Sequence, residues 1–267
     1  MATISMDAPA AAGDAAAATR ARYLDLMEKC LTGVIYRDPP MRPHWRHIFR
    51  KQEYSDAIRD SGKDWPSLAH TMIGMKRLHS LRQQVEATLR DRIPGDYIET
   101  GVWRGGACIM MRAVLAAHGV TDRLVYCADS FAGVPPPNAK RYPADRRRNF
   151  YKYKQLAVSL EEVHANFAAY GLLDEQVRFV KGLFADTLPT LAAERFALIR
   201  LDGDLYESTM DGLNALYHRL SPGGYVVIDD YGLRSSRTAV HDFLAQRGES
   251  VEFQRIDDYG VWWQKAA

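Results

Sequence analysis

Cysteine is scarce in this 267-residue chain: Cys30, Cys108 and Cys127 are an odd number, scattered, with no C-x-x-C pair among them. That argues against a disulfide framework or a zinc knuckle and fits a reducing, cytoplasmic setting. Charge of one sign is also lacking. With 35 basic and 33 acidic side chains the net charge is +2, too small to point to nucleic acid or a membrane surface as partner. No apolar run approaches the ~20 residues that span a bilayer, and no internal repeat or low-complexity segment is visible. The opening "MATISMDAPAAAGDAAAATRAR" carries Asp7 and Asp14 and has no sustained apolar core, so it does not read as a secretory signal. Its composition predicts a mobile tail over residues 1–20.

What is present is an α/β pattern. Residues 21–90 read as a helical extension, "RARYLDLMEKCLTGVI" and "WPSLAHTMIGMKRLHSLRQQVEATLRDRI", interrupted by the aromatic, basic, proline-broken "YRDPPMRPHWRHIFRKQEYSDAIRDSGKD". That interruption is too polar for a core and too long for a plain connector, which suggests a surface segment or a lid. From about residue 91 to 267 strands and helices alternate: "DYIET", "LVYCAD", "VRFVKG", "FALIRLD" and "GYVVIDD" are each followed by a helical pattern. Two last strands, "VEFQRI" and "GVWWQK", are separated only by "DDYG", so they form a hairpin and the final strand is antiparallel. Seven strands with a reversed last one are the pattern of the class I methyltransferase fold, a Rossmann-like sheet. A dinucleotide-binding domain would continue with another crossover instead.

Ligands of doubly wound sheets sit beyond the carboxyl ends of the strands, and the chemistry-bearing residues fall there. In "DYIETGVWRGG", Gly101 follows the first strand and Gly105–Gly106 open a helix. This G-x-x-x-G-G spacing is not the pyrophosphate fingerprint. Glu99 would repel a pyrophosphate but suits the amino group of a methionine-like moiety; Thr100 and Val102 flank the same turn. Asp129, followed by Ser130 in "LVYCADSFAG", sits where an acid accepts hydrogen bonds from ribose hydroxyls, of NAD or of S-adenosylmethionine alike. In "VKGLFADTL", Gly182 and Phe184 are placed to wall an adenine ring.

Two strands then end in clustered acids: "ALIRLDGDLYES" in Asp202 and Asp204, "GGYVVIDDYG" in Asp229 and Asp230. If those strands are neighbours, their carboxylates converge at one rim and need a cation or protons. Hard oxygen donors suit Mg²⁺, and no histidine–cysteine set points to zinc. A metal can stabilise a developing alkoxide while a carboxylate takes the proton.

The blocks "ETGVWRGGACI", "LDGDLYESTMDGL" and "LSPGGYVVIDDYG" resemble the TylF family of macrolide and aminocoumarin sugar O-methyltransferases, from about Leu68 to the C-terminus. The resemblance implies S-adenosylmethionine as donor, Mg²⁺ on Asp202, Asp229 and Asp230, and a deoxysugar hydroxyl of a natural-product glycoside as acceptor. It also implies Asp202 as general base and a homodimer; because a tight metal ligand is a compromised base, Asp204 is the reserve. "TMIG", with Thr71, Met72 and Ile73, should border the cofactor. Tyr54, Tyr206 and Tyr231 are candidates to touch the acceptor. The basic, aromatic "KRYPADRRRNFYKYK" departs from the pattern and leaves the acceptor open. Rival readings are a catechol-type acceptor at the same metal site, a D-x-D glycosyltransferase, an NAD-linked oxidoreductase and a non-catalytic binding protein.

Overall fold

The computed structural model describes residues 8–41, 53–191 and 195–266. Seven strands form one sheet in the order β3-β2-β1-β4-β5-β7-β6. These are β1 Asp96–Thr100, β2 Val125–Asp129, β3 Val177–Lys181, β4 Phe196–Leu201, β5 Leu220–Ile228, β6 Gln254–Arg255 and β7 Val261–Gln264. β1 to β5 pair in parallel, and β7 runs antiparallel between β5 and β6. The terminal hairpin, with residues 256–260 joining β6 to β7, therefore has the reversed geometry that a short connection demands. The order reverses between β1 and β4, which opens a crevice at their carboxyl ends.

Alternate residues of each strand feed two cores, one on each face of the sheet. Tyr97, Tyr225 and Val227 join the first, with helices α1 Ala8–Thr32, α3 Gly74–Arg90 and α4 Gly106–Ala117. Ile98, Val226 and Ile228 join the second, with α7 Tyr206–Leu216 and α8 Arg234–Arg247. The α4 sequence "GACIMMRAVLAA" is buried from Gly106 to Leu115, because α1 and α3 cover the side turned away from the sheet. The remaining helices are short or peripheral: α2 Asp56–Asp60, α5 Leu160–Ala169 and α6 Phe184–Thr187.

The expected tail over residues 1–20 needs correcting. Helix α1 begins at Ala8, so only residues 1–7 lie outside the described structure at this end. Alanine has the highest intrinsic helix propensity, and the stretch that reads as structureless is continuous with a helix whose Leu24, Met27 and Leu31 are buried. Arg20 fastens it by donating to the Ala117 carbonyl at 3.0 Å. Much of the suspected lid, residues 42–52, lies outside the described residues. Its end is anchored by the fully buried Arg59, which ion-pairs with Asp64 and donates to the carbonyls of Thr32 and Asp38.

Candidate active site

A cavity of about 770 Å³ opens at the carboxyl rim of β1, β2, β4 and β5. Its floor starts at Gly101, which has φ +85°; a Cβ there would stand 1.9 Å from the Asp202 carbonyl oxygen. Only glycine lets the β1 turn press this closely on the end of β4. Thr71 to Ile73 line the cavity from the chain between α2 and α3. They are held by the Thr71 amide on the Leu31 carbonyl and the Gly106 amide on the His70 carbonyl.

Asp129 lines the next sector. Its carboxylate accepts from the amides of Val102 at 2.7 Å and Phe131 at 2.8 Å, which fixes its orientation. Burial raises its proton affinity, opposed by those backbone donors. Each carboxylate oxygen retains a lone pair for a further donor. Ser130 turns its hydroxyl to the Gly133 carbonyl. Gly182 and Phe184 line the opposite wall, with Phe184 in the first turn of α6. Thr100, by contrast, is buried beneath the floor, and its carbonyl accepts from the Asp202 amide.

The acids converge. Oxygen atoms of Asp202, Asp229 and Asp230 lie within 4.8 Å of one another, because Leu201 and Ile228, the last residues of β4 and β5, pair in register and the acids follow directly. Burial pushes the Asp202 carboxyl up to about 6, with Asp229 adding to the rise and Arg200 opposing it. Asp230 is raised well above the carboxylate range by burial and by Asp204, Asp202 and Asp229. Asp204, at φ +60°, donates its amide to Asp230 at 2.8 Å. Burial pushes its own carboxyl up to about 8, and Asp202 and Asp229 add to the rise. That carboxylate lines the cavity and accepts no hydrogen bond among the described residues.

Two arginines hold the rim together. Arg200 on β4 is 1% exposed and bonds Glu99, Asp202 and Asp229 at once. Arg77 on α3 bonds the other oxygen of Asp229 and pairs with Asp257 at 3.1 Å. Glu99 completes its set by accepting from the Cys108 thiol; burial pushes it up to about 7, with Arg200 opposing the rise. Trp103 also lines the cavity, its indole N–H on the Gln155 carbonyl at 2.8 Å. Sequence reasoning singled out neither arginine and not Trp103. A lone arginine inside the apolar "ALIRLD" was the available signal, since a buried charge demands a partner.

The three tyrosines do not join this cavity. Tyr206 donates its hydroxyl to Asp242, and Tyr231 bonds His241. Tyr54 sits 5.3 Å from the guanidinium carbons of both Arg37 and Arg59. Tyr259 is the tyrosine in the lining.

The sheet order, the reversed last strand and a glycine turn and ribose-type acid at the switch point define a class I S-adenosylmethionine-dependent O-methyltransferase fold. More narrowly, residues 20–265 match the macrocin O-methyltransferase (TylF) family model, and the chain belongs to that family. It is 52% identical over 246 residues to the 8-demethyl-8-(2,3-dimethoxy-α-L-rhamnosyl)-tetracenomycin-C 4'-O-methyltransferase of Streptomyces olivaceus, covering 92% of this chain and 93% of that one. It is 47% identical over 248 residues to the mycinamicin III 3''-O-methyltransferase of Micromonospora griseorubida, covering 92% and 96%. Among solved structures, the O-methyltransferase NovP superposes with a TM-score of 0.88 at 48% identity, over 93% of this chain and 100% of NovP. The chain is thus an enzyme that methylates oxygen. Among the described residues no helix is long and apolar enough to cross a membrane.

Proposed function

We propose that this enzyme methylates a hydroxyl of a deoxysugar on a natural-product glycoside, with Mg²⁺ held by Asp202, Asp229 and Asp230. The observation that carries the metal is the convergence of three carboxylates within 4.8 Å at the mouth of the cavity. The donor set fits the ion: all oxygen, hard, and raised in proton affinity at Asp202 and Asp230 by burial and by the neighbouring acids. The relative named for a rhamnosyl 4'-oxygen favours a sugar over a phenolic acceptor. When bound, S-adenosylmethionine supplies the methyl group from its sulfonium, and the cation supplies stabilisation of the alkoxide that develops on the acceptor.

The chain's own part is positioning and proton transfer. Asp129 is oriented to receive ribose hydroxyls, and Phe184 with Gly182 offers a wall for the adenine. Thr71, Met72 and Ile73 close the other side. Glu99 lines the site between them, bonded to Arg200. Asp204 is assigned as the acceptor of the hydroxyl proton, with Asp202 kept for the cation. In support, Asp202 is tied to Arg200 at 2.9 Å, whereas the Asp204 carboxylate is without a donor. A base works best with a proton affinity near the operating pH. Leu26, Ile35 and Tyr36 are exposed along the end of α1 and just beyond it, which supports the expected homodimer as part of the proposal.

The test is titration of S-adenosylhomocysteine into the protein, followed by methyl transfer to a panel of deoxysugar glycosides and catechols with Mg²⁺ or EDTA. Methylation of glycosides that EDTA abolishes is expected. Transfer unaffected by EDTA would remove the metal assignment, and transfer to catechols alone would remove the sugar.

A further inference from the structure

The stretch 140–154, "KRYPADRRRNFYKYK", carries seven basic side chains and one acid, while the other 252 residues carry 28 basic against 32 acidic. The excess of positive charge is therefore local. Its single acid explains how the segment is held. Asp145 is fully buried and accepts from the amides of Tyr206 and Glu207, the first two residues of α7. This anchor pins the loop beside the rim that carries Asp204.

Beyond the anchor the chain turns outward, with Arg147 at φ +68°. Arg146, Arg147 and Arg148 then line a cavity of about 590 Å³ together with Arg234 and Thr238 from the first turns of α8. No acidic side chain lines it. None of the four arginines has an ion pair or a side-chain hydrogen bond among the described residues, and α8 has no side-chain cap. The amide dipoles at that end of α8 add to the positive potential. Four unpartnered guanidiniums around one concavity repel one another until an anion enters. Arg148 belongs to both regions, since its charge also reaches Asp204.

We propose that this arginine-lined cavity is an acceptor subsite for an anionic oxygen group, a phosphoryl or carboxylate carried by the methyl acceptor outside the sugar that is methylated. Guanidinium forks match both groups bidentately. The inference rests on the methyltransferase reading of the neighbouring cavity. It adds that the preferred acceptor is charged: either a sugar still linked through a phosphate, or a glycoside bearing a carboxylate.

The test uses the full-length protein at fixed ionic strength. Pyrophosphate, uridine diphosphate and 4-nitrophenyl glucuronide are titrated calorimetrically into the wild type and into an Arg147→Ala/Arg234→Ala variant; both residues are exposed, so folding is not at stake. Saturable binding of at least one probe, weakened about tenfold or more in the variant, is expected. Preference for the phosphates assigns a phosphate-linked sugar, and preference for the glucuronide a carboxylated glycoside. Absence of saturable binding, or equal binding by the variant, overturns the subsite. S-adenosylhomocysteine is titrated in parallel and should bind both proteins alike. Its failure to bind the wild type would instead count against the methyltransferase reading.

Discussion

Glu99 offers a sharp test of the electrostatics, because it is buried, acidic and raised from 4.5 to about 7. The sign follows from linkage. Between pH 4.5 and 7 the folded protein holds a proton on Glu99 that the unfolded chain has released. Glu99 therefore favours folding most below pH 4.5, and that contribution falls as pH rises through 7. The interval corresponds to about 3 kcal/mol at roughly 1.4 kcal/mol per pH unit. Glu99→Gln removes the titration and keeps an acceptor for Arg200, which still has Asp202 and Asp229.

Urea denaturation of both proteins at pH 4.5 and pH 8, with EDTA, isolates the effect, since all other groups titrate in both. The wild type should lose about 3 kcal/mol more than the variant between the two conditions, a difference in midpoint of about 1 M. Parallel pH dependence would refute the reasoning. It would mean that Arg200 keeps Glu99 ionised throughout, so that burial is not the dominant influence.

Other outcomes follow from the same geometry. Mg²⁺ should raise the melting temperature more at pH 8 than at pH 5.5, because protons on Asp202, Asp204 and Asp230 compete with it; scanning calorimetry with Asp230→Asn as control checks this. Gly101→Ala should cost more than about 2 kcal/mol in denaturant titration, since its Cβ meets the Asp202 carbonyl at positive φ. Asp145→Ala should lose about 1–2 kcal/mol as a helix cap is removed. In steady-state assays it should also raise the acceptor KM while S-adenosylhomocysteine affinity stays unchanged.

The sheet was legible because its signals are local. Five strands each followed by a helical pattern require parallel crossovers, and a four-residue connection leaves the last strand no choice but to reverse. The β1 turn was readable for a similar reason, as Gly101, Gly105 and Gly106 state where backbone must come close. What composition obscured was α1. An alanine-rich, small-residue run resembles a loose tail until its neighbour is seen to bury Leu24 and Leu31 against α3 and α4. The three tyrosines lie off the main cavity lining for a related reason. A tyrosine following a strand can turn either way, and Tyr206, at the start of α7, and Tyr231, after β5, turn to Asp242 and His241 on α8.

The acids could be read because each pair is clustered just after a strand, but their counter-ions come from far away. Arg77 lies 152 residues from Asp229, and Arg200 is 101 from Glu99. That separation hides a charge balance. With the carboxylates of Glu99, Asp202, Asp204, Asp229, Asp230 and the Asp257 paired with Arg77 all ionised, two guanidiniums leave the rim four charges negative. A buried site cannot hold that excess, so protons enter, and Glu99, Asp202, Asp204 and Asp230 are raised. A divalent cation and a sulfonium together carry three positive charges. On the proposed reading, metal and methyl donor together would offset three of those four charges, which favours an ionised Asp204 able to accept a proton. The arginines are part of this balance rather than mere scaffolding. With them absent, the same cation and sulfonium would leave three buried negative charges rather than one, and Asp204 would hold its proton at neutral pH instead of taking one.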